Sequence, residues 1–288
     1  MSTVDLLSGI ARVPISYFVY SAFSYYGGRH GGQLPGSWFV RALTALGRNE
    51  DAVRQTLYRM EQDGELIGRR ARRTKFYRPS AYARAEIDAG TEKLFAARDE
   101  RWDGQWTFVH VGLRRPAVAK QRERVIALLA VEGFASVDAN LYAHPRRAER
   151  RLYEALPAAS RREVVILRGV PGNAESTAAL TALWKVGELG RRYAKVEAQL
   201  QRLERTAARR IDDADAFRWR FAVVFGFLGV AWDDPNVPGE LLPPDWPGER
   251  ARDLAARLYR KLLPGAVRYG DAIYAETEAS TITEGASR

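Results

Sequence analysis

The sequence predicts an α+β chain in three parts: an N-terminal winged helix-turn-helix, a ferredoxin-like middle domain and a helical C-terminal domain. Three observations carry this prediction. Asn49 to Arg78 reads as an amphipathic helix, a tight turn and a heavily basic β-ribbon. From Gln105 to Arg168 strand and helix patterns alternate, and beyond Pro171-Gly172-Asn173 the pattern is almost wholly helical. The expected boundaries are 1–90 for the winged part, 91–171 for a linker helix and the middle domain, and 172–275 for the helical part. A small, polar tail, 276–288, is expected to be disordered.

Within the first part, Ile15 to Tyr26 reads as a helix ended by Gly27-Gly28-Arg29-His30-Gly31-Gly32, where positive φ costs little. Pro35 suits the first turn of a second helix, whose Trp38, Phe39, Ala42, Leu43 and Leu46 form an apolar stripe before Gly47. Asn49 is an N-cap for a third helix with Ala52, Val53, Leu57 and Met60 at three- and four-residue spacing. After Asp63-Gly64, two short strands span Glu65 to Arg78, and six of these fourteen residues are basic while one is acidic.

Ala81 to Arg101 is again helical. In the middle domain, Gln105–Leu113, Ser136–Ala143 and Glu163–Arg168 read as strands, with helices at Pro116–Val131 and Arg146–Leu156 between them. That order approximates a ferredoxin-like unit with one strand unassigned. Leu183, Trp184, Val186, Leu189, Tyr193, Val196, Leu200 and Leu203 predict one long helix, and Phe217 to Trp232 a buried one. Two rigid, turn-rich segments, Asp233–Gly239 and Pro243–Gly248, precede a last helix over Glu249–Leu263, and order is expected to end near Tyr274.

Composition narrows the functional classes. At 288 residues with 46% hydrophobic content the chain exceeds one usual domain and can bury real cores. A formal charge of +10 favours polyanionic partners. No cysteine is present, which excludes disulfides and thiol chemistry and suits a reducing compartment. His30, His110 and His144 lie far apart in sequence, so no metal is expected. Tyr17 to Tyr26 is too short and polar to span a bilayer, and no signal-peptide pattern opens the chain, so a cytoplasmic location is expected.

The candidate DNA-binding residues follow from this layout. Asn49, Glu50, Arg54, Gln55, Tyr58 and Arg59 lie off the apolar stripe of the third helix, where guanidinium and amide groups can read base edges. The competing reading is an exposed helix face with incidental pairs such as Glu50 with Arg54, and Arg59 equally suits a bracing role. Arg69, Arg70, Arg72, Arg73 and Lys75 on the hairpin suit phosphate or minor-groove contact. Trp38 and Phe39 read as core. The pairs Arg146-Arg147, Arg150-Arg151 and Arg161-Arg162 either extend a DNA path, meet acidic groups of an effector, or form a solvated face, the last being preferred. Trp102, Trp106, Trp219 and Trp232 are candidates to wall an aromatic effector pocket, burial without a ligand being the alternative. A metal-dependent nuclease on the middle domain competes as a function, but its first strand ends His110-Val111-Gly112-Leu113-Arg114 with no acid, and Asp138 stands alone. An effector-independent architectural DNA-binding protein is the third reading, which leaves the apolar C-terminal part unexplained. The chain is therefore not expected to be an enzyme.

The helix Ala52 to Met60 with Gly64 and its basic wing, then Arg101-Trp102-Asp103-Gly104-Gln105-Trp106, then Leu241-Leu242-Pro243-Pro244-Asp245-Trp246-Pro247-Gly248, resemble the PaaX family of bacterial transcriptional repressors of aromatic-acid catabolism. The resemblance covers nearly the whole chain in order. It implies a homodimer on a palindromic double-stranded operator, released by an aryl-acyl-CoA thioester, with no resident cofactor. The chain departs from the family pattern in Tyr17 to Tyr26 and at Phe225, Phe227, Leu228 and Gly229, where a histidine, an aromatic and paired basic residues are usual.

Overall fold

The structure, a computed structural model, describes residues 12–95, 101–112, 119–207 and 211–286. It is of mixed helix and sheet, with two small antiparallel sheets. The chain divides into two compact units where the sequence predicted three domains and a tail. Unit 1 comprises Met1–Ala96, Arg192–Trp232 and Pro247–Arg288, and unit 2 comprises Ala97–Arg191 and Asp233–Trp246.

Unit 1 opens with α1 (Ile15–Tyr25), β1 (Leu34–Pro35), α2 (Gly36–Thr44) and α3 (Glu50–Gln62). The strands β2 (Leu66–Ala71) and β3 (Thr74–Pro79) and the helix α4 (Ala81–Phe95) follow. Pro35 does not begin the second helix as predicted; it caps α2 and pairs with Phe76, so the sheet has a third strand in the order β1-β3-β2. A proline is tolerated there, because an edge strand leaves the N–H positions on its outer side without a ladder partner. The termini of α3 are sealed at both ends. Asn49 Oδ1 accepts the Ala52 N–H at 3.0 Å. At the other end Gly64, at φ 73, lets Glu65 donate its N–H to Met60 O at 2.8 Å.

The rest of unit 1 is helical: the later turns of α8 (Val186–Ala207), then α9 (Asp213–Ala231) and α10 (Pro247–Ala286). The long helix predicted from Leu183 starts instead at Val186, because Lys185 adopts a left-handed φ of 48 and breaks it from α7 (Ala174–Ala182). The predicted tail is helix, since α10 runs through Pro264 to Ala286. α9 is the centre of the core. Phe217, Phe221 and Phe227 are fully buried, and Phe18 of α1 packs on Phe221 and Phe225 at ring distances of 5.4 and 4.6 Å. Each such side chain contributes about 1.5–3 kcal/mol by leaving water. α10 lies against α1 so closely that a Cβ on Gly270 would meet the Tyr26 ring at 2.8 Å. There Trp38 donates its indole N–H to Gly270 O at 3.0 Å, and Tyr26 donates to Asp271 at 2.7 Å.

Unit 2 contains β4 (Trp106–Val111), α5 (Ala119–Val131), β5 (Ala135–Ser136), β6 (Leu141–His144), α6 (Glu149–Ala155) and β7 (Val164–Gly169). The sheet order is β5-β6-β4-β7, antiparallel throughout. The strand unassigned in the sequence is found: Ser136 to Ala143 is a hairpin rather than one strand. Its turn is held by Asp138 Oδ1, which accepts the N–H groups of Asn140 and Leu141. Val109, Val111, Tyr142 and Val164 of the sheet share one core with Val125 and Leu129 of α5 and Leu152 of α6, so both helices cover the same face.

Candidate nucleic-acid interface

The apolar side of α3 buries Val53, Thr56, Leu57 and Met60, and the 100° step of the helix leaves Arg54, Gln55, Tyr58 and Arg59 exposed. Tyr58 is 62% exposed. Glu50 and Arg54 form the exposed i,i+4 pair at 3.4 Å. Gln55, Tyr58 and Arg59 make no hydrogen bond or ion pair among the described residues. Asn49 spends its carbonyl oxygen on the helix cap, which gives it a structural task whatever else it touches. Arg59 is exposed.

The hairpin β2–β3 pairs in full register from Leu66↔Pro79 to Ala71↔Thr74, placing Arg72 and Arg73 at its tip. Arg69, Arg70, Arg72 and Arg73 are exposed, and Arg72 holds a left-handed φ of 53. Lys75 differs: it donates to Glu61 of α3 at 2.5 Å, a contact that holds its ammonium above the ordinary lysine range. Glu61 and Lys75 thereby lock helix to hairpin. A Cβ on Gly68 would meet the Glu61 carboxylate, so the bare backbone makes room for this pair.

A groove of about 510 Å³ beside these elements is lined by Arg41, Arg54, Arg73 and Lys75. Arg41 was not foreseen from the sequence. It sits on α2, read only as a supporting helix, and it pairs with Glu276 of α10 at 2.6 Å, both partly exposed. The available signal was its place on the polar side of the Trp38–Leu43 stripe.

The other candidates separate by unit. In unit 2, Arg146 donates to Asn236 O at 3.2 Å, Arg147 pairs with Asp103 at 2.6 Å and Arg150 with Glu154 at 3.0 Å. Arg151 pairs with Glu132, and Arg161 stacks over Tyr153. Five of these six arginines thus have partners within unit 2. Trp106 is fully buried between Trp102, Phe108 and Trp184. In unit 1, Trp219 is buried, whereas Trp232 is 43% exposed and lines a cavity of about 260 Å³. Both segments in which the sequence departs from the family pattern contribute to that wall, through Tyr17, Tyr20, Phe225 and Leu228. Tyr20 donates its hydroxyl to Glu65 at 2.8 Å, and burial together with that carboxylate holds the phenol well above its ordinary range. Among the described residues no group of three or more His, Asp or Glu converges as metal ligands would, and no helix is long and apolar enough to cross a membrane.

Comparison with known proteins bears on this arrangement. Residues 15–83 match the model of the PaaX-like protein family, and residues 184–272 match that of the PaaX-like protein C-terminal domain, between them more than half of the chain. The chain belongs to the PaaX-like family. The first PaaX-like match spans α1 to the hairpin, and the second takes in α8, α9 and most of α10. A curated relative is the transcriptional repressor PaaX of Escherichia coli (strain K12), 27% identical over 251 residues, which cover 83% of this PaaX-like chain and 77% of that protein. Among solved structures, an uncharacterized protein from Mycobacterium tuberculosis shares the fold, with a TM-score of 0.59 and 21% identity, covering 88% of this chain and 97% of that one.

Proposed function

We propose that this PaaX-like chain is a DNA-binding transcriptional repressor whose α1–α3 and β2–β3 act as a winged helix-turn-helix. The observation that carries the reading is the pairing, within one unit, of an exposed polar face on α3 with a hairpin that carries four exposed arginines, two of them at its tip. α3 enters the major groove, where Arg54, Gln55 and Tyr58 meet base edges; the hairpin meets phosphate. Similarity to a named transcriptional repressor supports the same conclusion. Unit 2, with its ferredoxin-like strand order, is taken as a spacer without catalysis.

Two copies bind one palindromic operator, since a single short helix reads too few base pairs to compete with a genome of non-specific sites. Such a regulator works in the cytoplasm, where its DNA lies. It is released by a small aromatic effector, and the aryl-acyl-CoA thioester expected from the resemblance is one compound of that kind. The decisive experiment selects duplexes from a random pool with the full chain and measures their binding by fluorescence anisotropy. The expected result is a palindrome bound by two chains, with affinity lost in Arg54→Ala and Gln55→Ala by about 1–3 kcal/mol each. Binding indifferent to sequence would leave the architectural reading in its place.

A further inference from the structure

The cavity in unit 1 lies among α1, α4 and α9 and is walled by rings and carboxylates. Tyr17, Tyr20, Tyr82, Phe225, Trp232 and Tyr259 line it, Glu65 and Glu86 are its charged groups, and among the described residues no lysine, arginine or histidine contributes to the lining. Glu65 is half-buried, and a partly desolvated carboxylate repels an anion and attracts a cation more strongly than it would in water; Glu86, exposed at the rim, adds charge of the same sign. The faces of tyrosine and tryptophan carry negative charge density that favours a cation again. Both effects select in one direction.

One buried cation opposes this preference. Arg220 is fully buried, its guanidinium 3.5 Å from the Tyr25 ring centroid and 3.9 Å from that of Tyr259, a residue of the cavity wall, and its single positive charge is set against the two carboxylates of Glu65 and Glu86. It does not line the cavity.

Glu65 joins the cavity to the hairpin. Its carboxylate accepts from Tyr20, its N–H donates to Met60 O at the end of α3, and its carbonyl accepts the Ser80 N–H at 2.9 Å. β2 begins at the next residue. We propose that this cavity binds a small aromatic cation, such as an arylalkylamine, with its ammonium between Glu65 and Glu86 and its ring among the tyrosines and Trp232, and that occupancy reaches the hairpin through Glu65. The second half rests on the regulatory reading above; capture of the cation does not.

The test is calorimetric titration of the full chain with 2-phenylethylamine, phenylacetate and phenylacetyl-CoA, with duplex binding measured in parallel. The amine should bind at least about tenfold tighter than the acid of similar shape. Glu65→Gln with Glu86→Gln should weaken the amine by about tenfold or more. Glu86→Gln alone, at an exposed helical site that tolerates exchange, should weaken it by about threefold, so the test survives should the double variant misfold. Quenching of Trp232 fluorescence by the amine, absent in Trp232→Phe, locates it. The proposal is overturned by equal or tighter binding of phenylacetate or the thioester, by no amine binding, or by amine binding indifferent to both glutamates. Amine binding by a chain that fails to bind DNA would sink the regulatory reading and keep the cavity assignment; DNA binding without amine binding would do the reverse.

Discussion

Arg72 occupies a backbone position that glycine fills more cheaply. An L-residue at a φ of 53 gives up about 1–2 kcal/mol. Arg72→Gly should therefore stabilise unit 1 by about 1 kcal/mol while weakening DNA binding, two effects of opposite sign that urea unfolding and anisotropy separate. If affinity is unchanged, the arginine does not touch phosphate. Asn49 is the reverse case, since removal of its capping oxygen in Asn49→Ala should destabilise α3 by about 1 kcal/mol. In unit 2, His144 is buried beside Phe134, and burial lowers its imidazole from 6.5 to about 4. Between those two pH values the unfolded chain holds a proton that the folded chain refuses. Stability is therefore complete above about pH 6.5 and falls by about 3 kcal/mol as the pH drops to 4. His144→Gln should flatten that part of the pH profile; an unchanged acid slope would mean that other groups govern it.

At the scale of the element, the hairpin makes a sharper prediction than any single side chain. Replacing Arg69, Arg70, Arg72 and Arg73 by glutamine should reduce the slope of log affinity against log salt by about 0.9 for every phosphate that the hairpin no longer neutralises. Lys75→Gln should cost stability instead, because its ammonium is committed to Glu61. Most of these elements were legible in the sequence: Asn49, the Val53–Leu57–Met60 stripe and Gly64 mark α3 at both ends, and a cationic turn between two short strands after Asp63-Gly64 marks the hairpin. Others were not. β1 and β5 are two residues long, too short for periodicity, and exist only because β3 and β6 offer them hydrogen bonds. Lys185 breaks a predicted helix by adopting a conformation that no residue type announces. The continuation of α10 beyond Tyr274 was obscured by small polar residues and by Pro264, whose missing N–H usually ends a helix. Of the site, the exposed arginines were readable, whereas Glu61, Glu65 and Arg41 became visible only once tertiary contacts paired them.

At the scale of the molecule, α10 packs against the helices to which the proposed function assigns DNA. Gly270, Asp271 and Glu276 bond to Trp38, Tyr26 and Arg41, and Tyr274 stacks on His30 at 3.8 Å. Removing residues 264–288 should destabilise α1–α3 by about 3 kcal/mol or more, as an orphaned indole N–H and exposed aromatic rings require, and should abolish operator binding although the hairpin is intact. A truncated chain with native melting behaviour would contradict this. The α1–α3 segment and α10 thus complete one another, while the stretch Ala97–Arg191 and the short return Asp233–Trp246 make up the other unit. On the ribosome, unit 2 has all its residues once Trp246 has emerged, but α1–α3 must wait for α10, their aromatic faces open to chaperones meanwhile.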